Sequence, residues 1–405
     1  VPIKIGIIGK TNTGKTTFFN SATLSSSEIS TYPFTTKKPE SATANAITLC
    51  VHPEFNVVDN PKNSKCVDGW RYIPIEMIDL PGLIKDAWQG KGLGNQFLSV
   101  AAQSDALLHV VDVSGGVDSA GKIAESGTGD PISDFADIEE ELIMWYLKIL
   151  EGNRDKVSKT VASGTDKITA IADLYRGIGV NNYHVRDALR AAGIEDKEFD
   201  EIDFQASKKF AMVLRKISKP TIIVANKIDV EGADKNFARL RERYNDVIVV
   251  PASADSELSL RRAEQKGLIK YSPGSEQFEI IKPDELSKKQ KGALDFITKE
   301  IMGEYMRTGV QFAINVTVFK LLKMNAVYPV ADEEMLSDRK GNILPDLILL
   351  KDGATVLDLA KEVHTDLIKG LLYAKDIRYN LRLPTTYQLR DRDVISLVSA
   401  SKKSH

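Results

Sequence analysis

Gly9-Lys10-Thr11-Asn12-Thr13-Gly14-Lys15-Thr16 decides the fold. It follows an apolar run, residues 3–8, that reads as a buried strand, and it leads into Thr17-Phe18-Phe19-Asn20, which reads as the start of a helix. Strand, loop and helix in that order are the context that a GxxxxGK[ST] phosphate loop requires. The glycines let backbone amides turn toward a nucleotide, and the helix N-terminus adds positive potential. The expected contacts are Gly9, Asn12, Thr13, Gly14, Lys15, Thr16 and Thr17, with Lys15 reaching the β- and γ-phosphates and the Thr16 hydroxyl ligating Mg²⁺. About one chain in a hundred of this length would match the pattern by chance, and the flanking strand and helix lower that further.

Working outward, four more apolar runs, residues 73–78, 106–113, 221–225 and 247–250, read as buried parallel strands ending at turn signals. They outline an α/β fold, a doubly wound and mostly parallel sheet of P-loop NTPase type, whose functional loops lie at the C-terminal ends of the strands. From about 115 to 219 the strand texture stops. Apolar positions then recur at helical spacing, as in Phe135, Ile138, Leu142, Tyr146 and Ile149, which reads as a helical insertion. After about 312, the alternation Asn315-Val316-Thr317-Val318-Phe319, turn chemistry at Gly341-Asn342, a helix Val356–Val363 opened by Thr355 and Asp358, and a strand 394–398 read as a C-terminal α+β module. The expected domains are 1–114 with 219–312, an insertion 115–218, and a module 313–402.

Length alone calls for two or three domains. At 42% hydrophobic and 27% charged residues, the composition argues against a disordered, collagen-like or membrane class. Lys plus Arg number 54 against 56 for Asp plus Glu, so no global charge favours nucleic acid. Two cysteines, no membrane-length apolar run and no signal-peptide pattern in Val1-Pro2-Ile3-Lys4 lead to a cytoplasmic expectation.

Three further motifs close predicted strands in the order a GTPase needs. Asp79-Leu80-Pro81-Gly82 supplies a carboxylate for Mg²⁺ through water and, at Gly82, an amide for the γ-phosphate. In Asn226-Lys227-Ile228-Asp229, the Asp229 carboxylate accepts the N1 and N2 hydrogens of guanine, and adenine offers no such pair. Ser253-Ala254 presents a backbone amide to guanine O6. Singly, Pro-Gly is ordinary turn chemistry and Ser-Ala is uninformative. Their order at successive strand ends is what selects the GTPase reading.

Tyr32-Pro33-Phe34-Thr35-Thr36 and Gly90-Lys91-Gly92-Leu93-Gly94-Asn95-Gln96-Phe97-Leu98 resemble the Obg superfamily of GTPases. The resemblance implies that Thr36 is the switch I ligand of Mg²⁺, that the segment from Asp79 begins switch II, and that Lys15, Thr36 and Gly82 serve catalysis. Leu344-Pro345-Asp346, Asp358-Leu359-Ala360 and His364-Thr365-Asp366 look like signatures of a TGS domain, a β-grasp module, and so point to the YchF-type branch. The best-known members of that branch have an altered base motif and favour ATP. Here the guanine motif is intact, as in an archaeal-type member, so GTP and GDP are the expected ligands and a YchF-type ATPase is the alternative.

Leu83 stands where Ras-like enzymes place a glutamine that orients water, so intrinsic hydrolysis should be slow. The resemblance to potassium-stimulated GTPases makes Asn12 a candidate K⁺ ligand. The resemblance to the TGS-bearing Obg branch implies ribosome or RNA contact through the TGS-like and helical domains, although acidic residues such as Asp332-Glu333-Glu334 equally suit a protein-interaction element. A nucleotide-gated binding module with negligible intrinsic hydrolysis is the third reading. Cys50, His52 and Cys66 offer three zinc ligands, but they lack a CxxC pair and an evident fourth ligand, so two buried thiols are the favoured reading. His109 and His364 read as core or capping residues, and Lys288-Lys289-Gln290-Lys291 as a solvated helix face.

Overall fold

The computed structural model describes residues 2–25, 39–82, 88 and 94–400. The Tyr32-Pro33-Phe34-Thr35-Thr36 loop, with the expected ligand Thr36, together with Leu83 and residues 90–93, lies outside the described residues. Two compact units result, one of Val1–Ala44 with Glu76–Ala313 and the other of Asn45–Ile75 with Ile314–His405.

The first unit is built on β1 (Lys4–Ile8), whose sequence KIGII is buried from Ile5 onward. Continuous apolar strands of this kind need cover on both faces, which a parallel sheet with crossover helices supplies. The same sheet holds β2 (Glu40–Leu49), β3 (Lys65–Val67), β4 (Trp70–Asp79), β5 (Ala106–Asp112), β6 (Thr221–Asn226) and β7 (Val249–Ala252), of which β3 and the parts of β2 and β4 within residues 45–75 group with the second unit. The order is β2-β4-β1-β5-β6-β7, with β3 on β4. Strands β4, β1, β5, β6 and β7 are parallel, Gly6 lying opposite Ile78 on one side and Leu107 on the other. Strand order reverses at β1, and the loop after β1 therefore opens at a topological switch point, where α/β sheets hold ligands.

Helices α1 (Lys15–Thr23), α2 (Gly94–Ala102), α3 (Pro131–Glu151), α4 (Arg154–Ala162), α5 (Lys167–Tyr175), α6 (Asn182–Ala192), α7 (Phe204–Ser218), α8 (Ala233–Arg243) and α9 (Ala254–Gln265) accompany the sheet. The insertion expected at 115–218 is helical, α3 to α7. Asp130 caps α3 by accepting the Ile132 amide, Pro131 fixes its first turn, and Phe135, Ile138, Leu142 and Tyr146 fall on its buried face. The apolar cluster around these helices runs without a break from Leu142, Tyr146, Leu189 and Phe210 to Ile8, Ile78 and Leu107 of the sheet. The insertion thus shares the sheet's core.

After a short ribbon of β8 (Ile269–Lys270) and β9 (Glu279–Ile280), α10 (Lys288–Phe296) runs through a π-helical stretch, Ile297–Met302, into α11 (Gly303–Tyr305). The residues 315–319, expected as a strand, are helical: α12 (Val310–Asn315) continues into a second π-helical stretch, Val316–Leu321. Val310, Gln311, Ala313, Ile314, Thr317 and Val318 are the buried positions, adjacent pairs recurring every three to four residues, which a helix places on one face. That tertiary burial overrides the β preference of Val-Thr-Val-Phe.

In the second unit, β10 (Met324–Val330), β11 (Ile348–Lys351), β12 (Leu371–Asp376), β13 (Leu381–Leu383) and β14 (Val394–Ser399) form a sheet of order β11-β10-β14-β12-β13. Only the β10–β14 pair is parallel among those described. Helix α13 (Val356–Val363), followed by the short α14 (Leu367–Gly370), covers this sheet with Val356 and Leu359 over Val327, Leu350, Ala374 and Ile395. Its N-terminus is the capping box read from the sequence, Thr355 accepting the Asp358 amide and Asp358 accepting the Thr355 amide at 2.9 Å. Residues 45–75, given to the nucleotide domain in the sequence reading, group with this unit. Backbone bonds from Asn60 to Ile343 (2.8 Å) and from Lys62 to Pro345 (2.7 Å) are among those that tie them there.

Candidate nucleotide site

The loop 9–14 closes β1 and opens α1. Gly14 lies at φ 94°, and a Cβ there would stand 2.2 Å from the Asn226 Nδ2, so both conformation and space require glycine. The first turn of α1 carries no acidic residue, which leaves its amide pole open to an anion. Lys15 is buried, and its Nζ donates to the Lys10 carbonyl at 2.7 Å. Burial lowers its pKa to about 8 against the pull of Asp79. Thr13 is fully buried and holds the same Lys10 carbonyl at 3.0 Å. Thr17 follows in the first turn of α1, half-buried.

Asp79 ends β4 beside this turn. The Thr16 hydroxyl donates to its Oδ2 at 2.7 Å, while its Oδ1 is buried with no hydrogen-bond partner among the described residues. Burial pushes the Asp79 carboxyl up to about 6, opposed by Thr16 and Lys15. A hydroxyl and an unsatisfied buried carboxylate oxygen are the hard donors that Mg²⁺ takes, so these residues fit the ion. Gly82 passes so close to the phosphate loop that a Cβ would lie 2.4 Å from the Thr11 Oγ1.

Asn226 ends β6, and its side chain joins two loops: Nδ2 donates to the Thr13 carbonyl at 2.9 Å, and Oδ1 accepts the Ala254 amide at 3.1 Å. Lys227 sits at φ 63°, a left-handed conformation that costs on the order of 1 kcal/mol for a residue with a Cβ. That turn sends its Nζ to the Asn12 carbonyl at 3.0 Å and to Asp112 at 2.6 Å. Asp229 is half-buried beyond it. Ser253, fully buried, caps α9 and has its own amide bound to the Thr308 carbonyl at 2.8 Å. Beneath it Glu257 accepts from Tyr271 and Thr308, its pKa raised by burial.

The structure therefore brings the phosphate loop, Asp79, Gly82, Asn226, Lys227, Ser253 and Ala254 together. It also shows partners that the sequence reading missed. Asp112 anchors Lys227, and Lys10 is held by Asp134 of α3 at 2.6 Å in a buried ion pair. Asn12, at φ 65°, donates to the Gly121 carbonyl at 2.9 Å. Asp112 could have been suspected as a carboxylate at a strand end, but Gly121 and Asp134 carry no local signal. His109 is core, as expected, its ring 4.7 Å from Phe135.

Three family models match: a 50S ribosome-binding GTPase over residues 4–135, an Obg-like GTPase YGR210-like G4 motif-containing domain over 224–332, and a TGS domain over 339–399. A GTP-binding protein of Methanocaldococcus jannaschii is 41% identical over 398 residues, covering 98% of this chain and 99% of its own. The chain belongs to the Obg-like GTPases. A ribosome-binding ATPase YchF of Bacillus subtilis is 30% identical over 317 residues, 74% of this chain and 78% of that protein. The crystal structure of a GTP-binding protein from Pyrococcus horikoshii covers 98% of this chain and 100% of that one, at 33% identity and a TM-score of 0.79. As an Obg-like GTPase, the chain is a P-loop nucleotide hydrolase with a C-terminal TGS domain, and its family binds nucleotide with Mg²⁺.

Proposed function

We propose that this Obg-like protein binds GTP with Mg²⁺ at residues 9–16, hydrolyses it slowly to GDP and phosphate, and signals its nucleotide state to a ribosomal partner. The carrying observation is the side chain of Asn226, which locks the Asn226-Lys227-Ile228-Asp229 turn to both the phosphate loop and the Ser253-Ala254 turn. In this reading the Asp229 carboxylate accepts the guanine N1 and N2 hydrogens; the Ser253 and Ala254 amides, expected from the sequence to meet O6, are instead bonded to the Thr308 carbonyl and Asn226 Oδ1. Lys15 and the amides of Gly9, Asn12, Thr13, Gly14, Thr16 and Thr17 neutralise the phosphates, and the Gly82 amide meets the γ-phosphate. Thr16, Asp79 and the expected ligand Thr36 would hold a Mg²⁺, which would supply positive charge to screen the phosphates. Catalysis is then chiefly electrostatic positioning.

The relatives named ATPases make base choice the decisive test. In a competition titration of the purified protein, GTP should outcompete ATP by roughly four orders of magnitude, since the wrong base leaves a site carboxylate unpaired. Asp229→Asn should erase most of that preference. ATP binding as tight as GTP, or unchanged base choice in the variant, would overturn the reading. A cytoplasmic setting is part of the proposal. It is supported by the ribosome-binding names of relatives, and no helix among the described residues is long and apolar enough to cross a membrane.

A further inference from the structure

The segment from 51 to 70 buries little of its own. Val51 is its only buried residue, and the rest is a 3₁₀ turn at His52–Phe55, an irregular stretch and the three residues of β3. Apolar packing of that extent contributes little to fixing the excursion, which is otherwise tied by bonds such as those from Asn60 and Lys62 to residues 343 and 345. Three of its side chains nonetheless converge with that of the preceding buried Cys50. Cys50 follows the end of β2, His52 opens the 3₁₀ turn, Asp59 lies in the irregular stretch and Cys66 is in β3. Their ligand atoms all lie within 4.8 Å of one another.

Two of the separations have the size of a coordination shell: Cys66 Sγ is 3.6 Å from His52 Nδ1, and His52 Nδ1 is 3.5 Å from Asp59 Oδ1, while Cys50 Sγ lies 3.3 Å from the other carboxylate oxygen, Asp59 Oδ2. Ligands at ~2.3 Å (sulfur) and ~2.0 Å (nitrogen or oxygen) around a tetrahedral ion stand about 3.3–3.8 Å apart. We propose that Cys50, His52, Asp59 and Cys66 bind one zinc ion as a closed structural site in the second unit.

The surroundings suit that charge. Two thiolates, one carboxylate and a divalent cation leave a single negative charge. The fully buried Arg71 answers it, reaching Asp59 Oδ2 at 3.1 Å while also donating to Ser64 and the Leu344 carbonyl. Asp59 Oδ1 then faces the metal, and Arg71 orients the carboxylate as an outer-shell partner does. Tyr328 is fully buried beside Cys50 and Arg71, where a metal-bound thiolate would accept from its hydroxyl. Two sulfurs with one imidazole select zinc over Mg²⁺ or Ca²⁺, and four protein ligands leave no open position for catalysis.

The test uses the full chain, purified under reducing conditions, stripped of metal and saturated with Mg-GDP. Titration with Co²⁺ alone should raise thiolate-to-cobalt charge-transfer and tetrahedral d–d bands that saturate at about one equivalent, and Zn²⁺ alone should bleach them. Cys66→Ser and His52→Ala should weaken Co²⁺ binding at least tenfold with Mg-GDP still bound. Zinc should also lower the proteolysis of residues 51–67. A wild-type chain with both thiols free and no saturable cobalt bands would overturn the site, as would bands that persist in Cys50→Ser and Cys66→Ser. A Cys50–Cys66 disulfide as the purified state, resistant to reduction and closed to cobalt, would overturn it as well.

Discussion

Asn12 spends its amide nitrogen on the Gly121 carbonyl, which leaves the oxygen end of the same amide as its means of meeting a cation. That is the role the sequence resemblance implies for Asn12, a candidate K⁺ ligand. Turnover of GTP should accordingly be several-fold faster in KCl than in NaCl at equal ionic strength, and Asn12→Ala should abolish the difference. Equal wild-type rates would remove the cation from the mechanism. His109 is a separate residue-scale matter. Burial lowers its pKa, against the attraction of Glu139, whose carboxylate lies 3.9 Å away; Arg215 and Lys15 push the same way as burial. The folded chain thus keeps the ring neutral, whereas the unfolded chain protonates it near its ordinary value of about 6.5. Its contribution is intact above that pH and declines as pH falls below it, by at most about 1.4 kcal/mol per pH unit. Glu139, held below the usual carboxylate range by Arg215 and His109 despite its burial, titrates in a lower window. Between pH 7.5 and 5.5 the urea midpoint of the wild type should fall more steeply than that of His109→Gln. Parallel curves would show that another group titrates.

Two loops and a strand end meet at Asn226, so the Asn226→Ala change is felt by elements rather than by one contact. It strands the buried Thr13 carbonyl and Ala254 amide, each at a cost of roughly 1–3 kcal/mol. The variant should lose about 2–4 kcal/mol in urea unfolding and bind fluorescent GDP at least tenfold more weakly. Unchanged affinity would mean that the loops hold their geometry independently. At this scale the sequence was legible where chemistry forces the backbone. Gly14 and Lys15 declare the phosphate loop because no other residue fits those positions. The capping box at Thr355 and Asp358 is local and could be read outright. Residues 315–319 misled because β-branched residues were weighed over the burial spacing from 310 to 318, which becomes visible only once the packing partners are known. Asp59 escaped notice as a companion of Cys50, His52 and Cys66 because an irregular stretch, with no periodicity to read, delivers it.

For the chain as a whole, the nucleotide unit and the TGS unit were legible as separate textures, yet the allegiance of residues 45–75 was not. It rests on bonds such as Asn63 to Leu347 that join positions 284 apart in sequence, and nothing local announces them. The proposed ribosomal role belongs to this scale too. Co-sedimentation of the full protein with ribosomes should be stronger with a non-hydrolysable GTP analogue than with GDP. Absence of association in both states would favour a protein partner for the TGS unit.

The double duty of Asn226 bears on how such proteins diversify. In the proposed site Asp229 reads the base and, being half-buried beyond the brace, can change without dismantling it. Asn226 cannot change without loosening phosphate and base loops together. A lineage, or an engineer, seeking a different purine thus has a free coordinate at position 229 and a frozen one at 226, which suits a family whose members are named for both GTP and ATP.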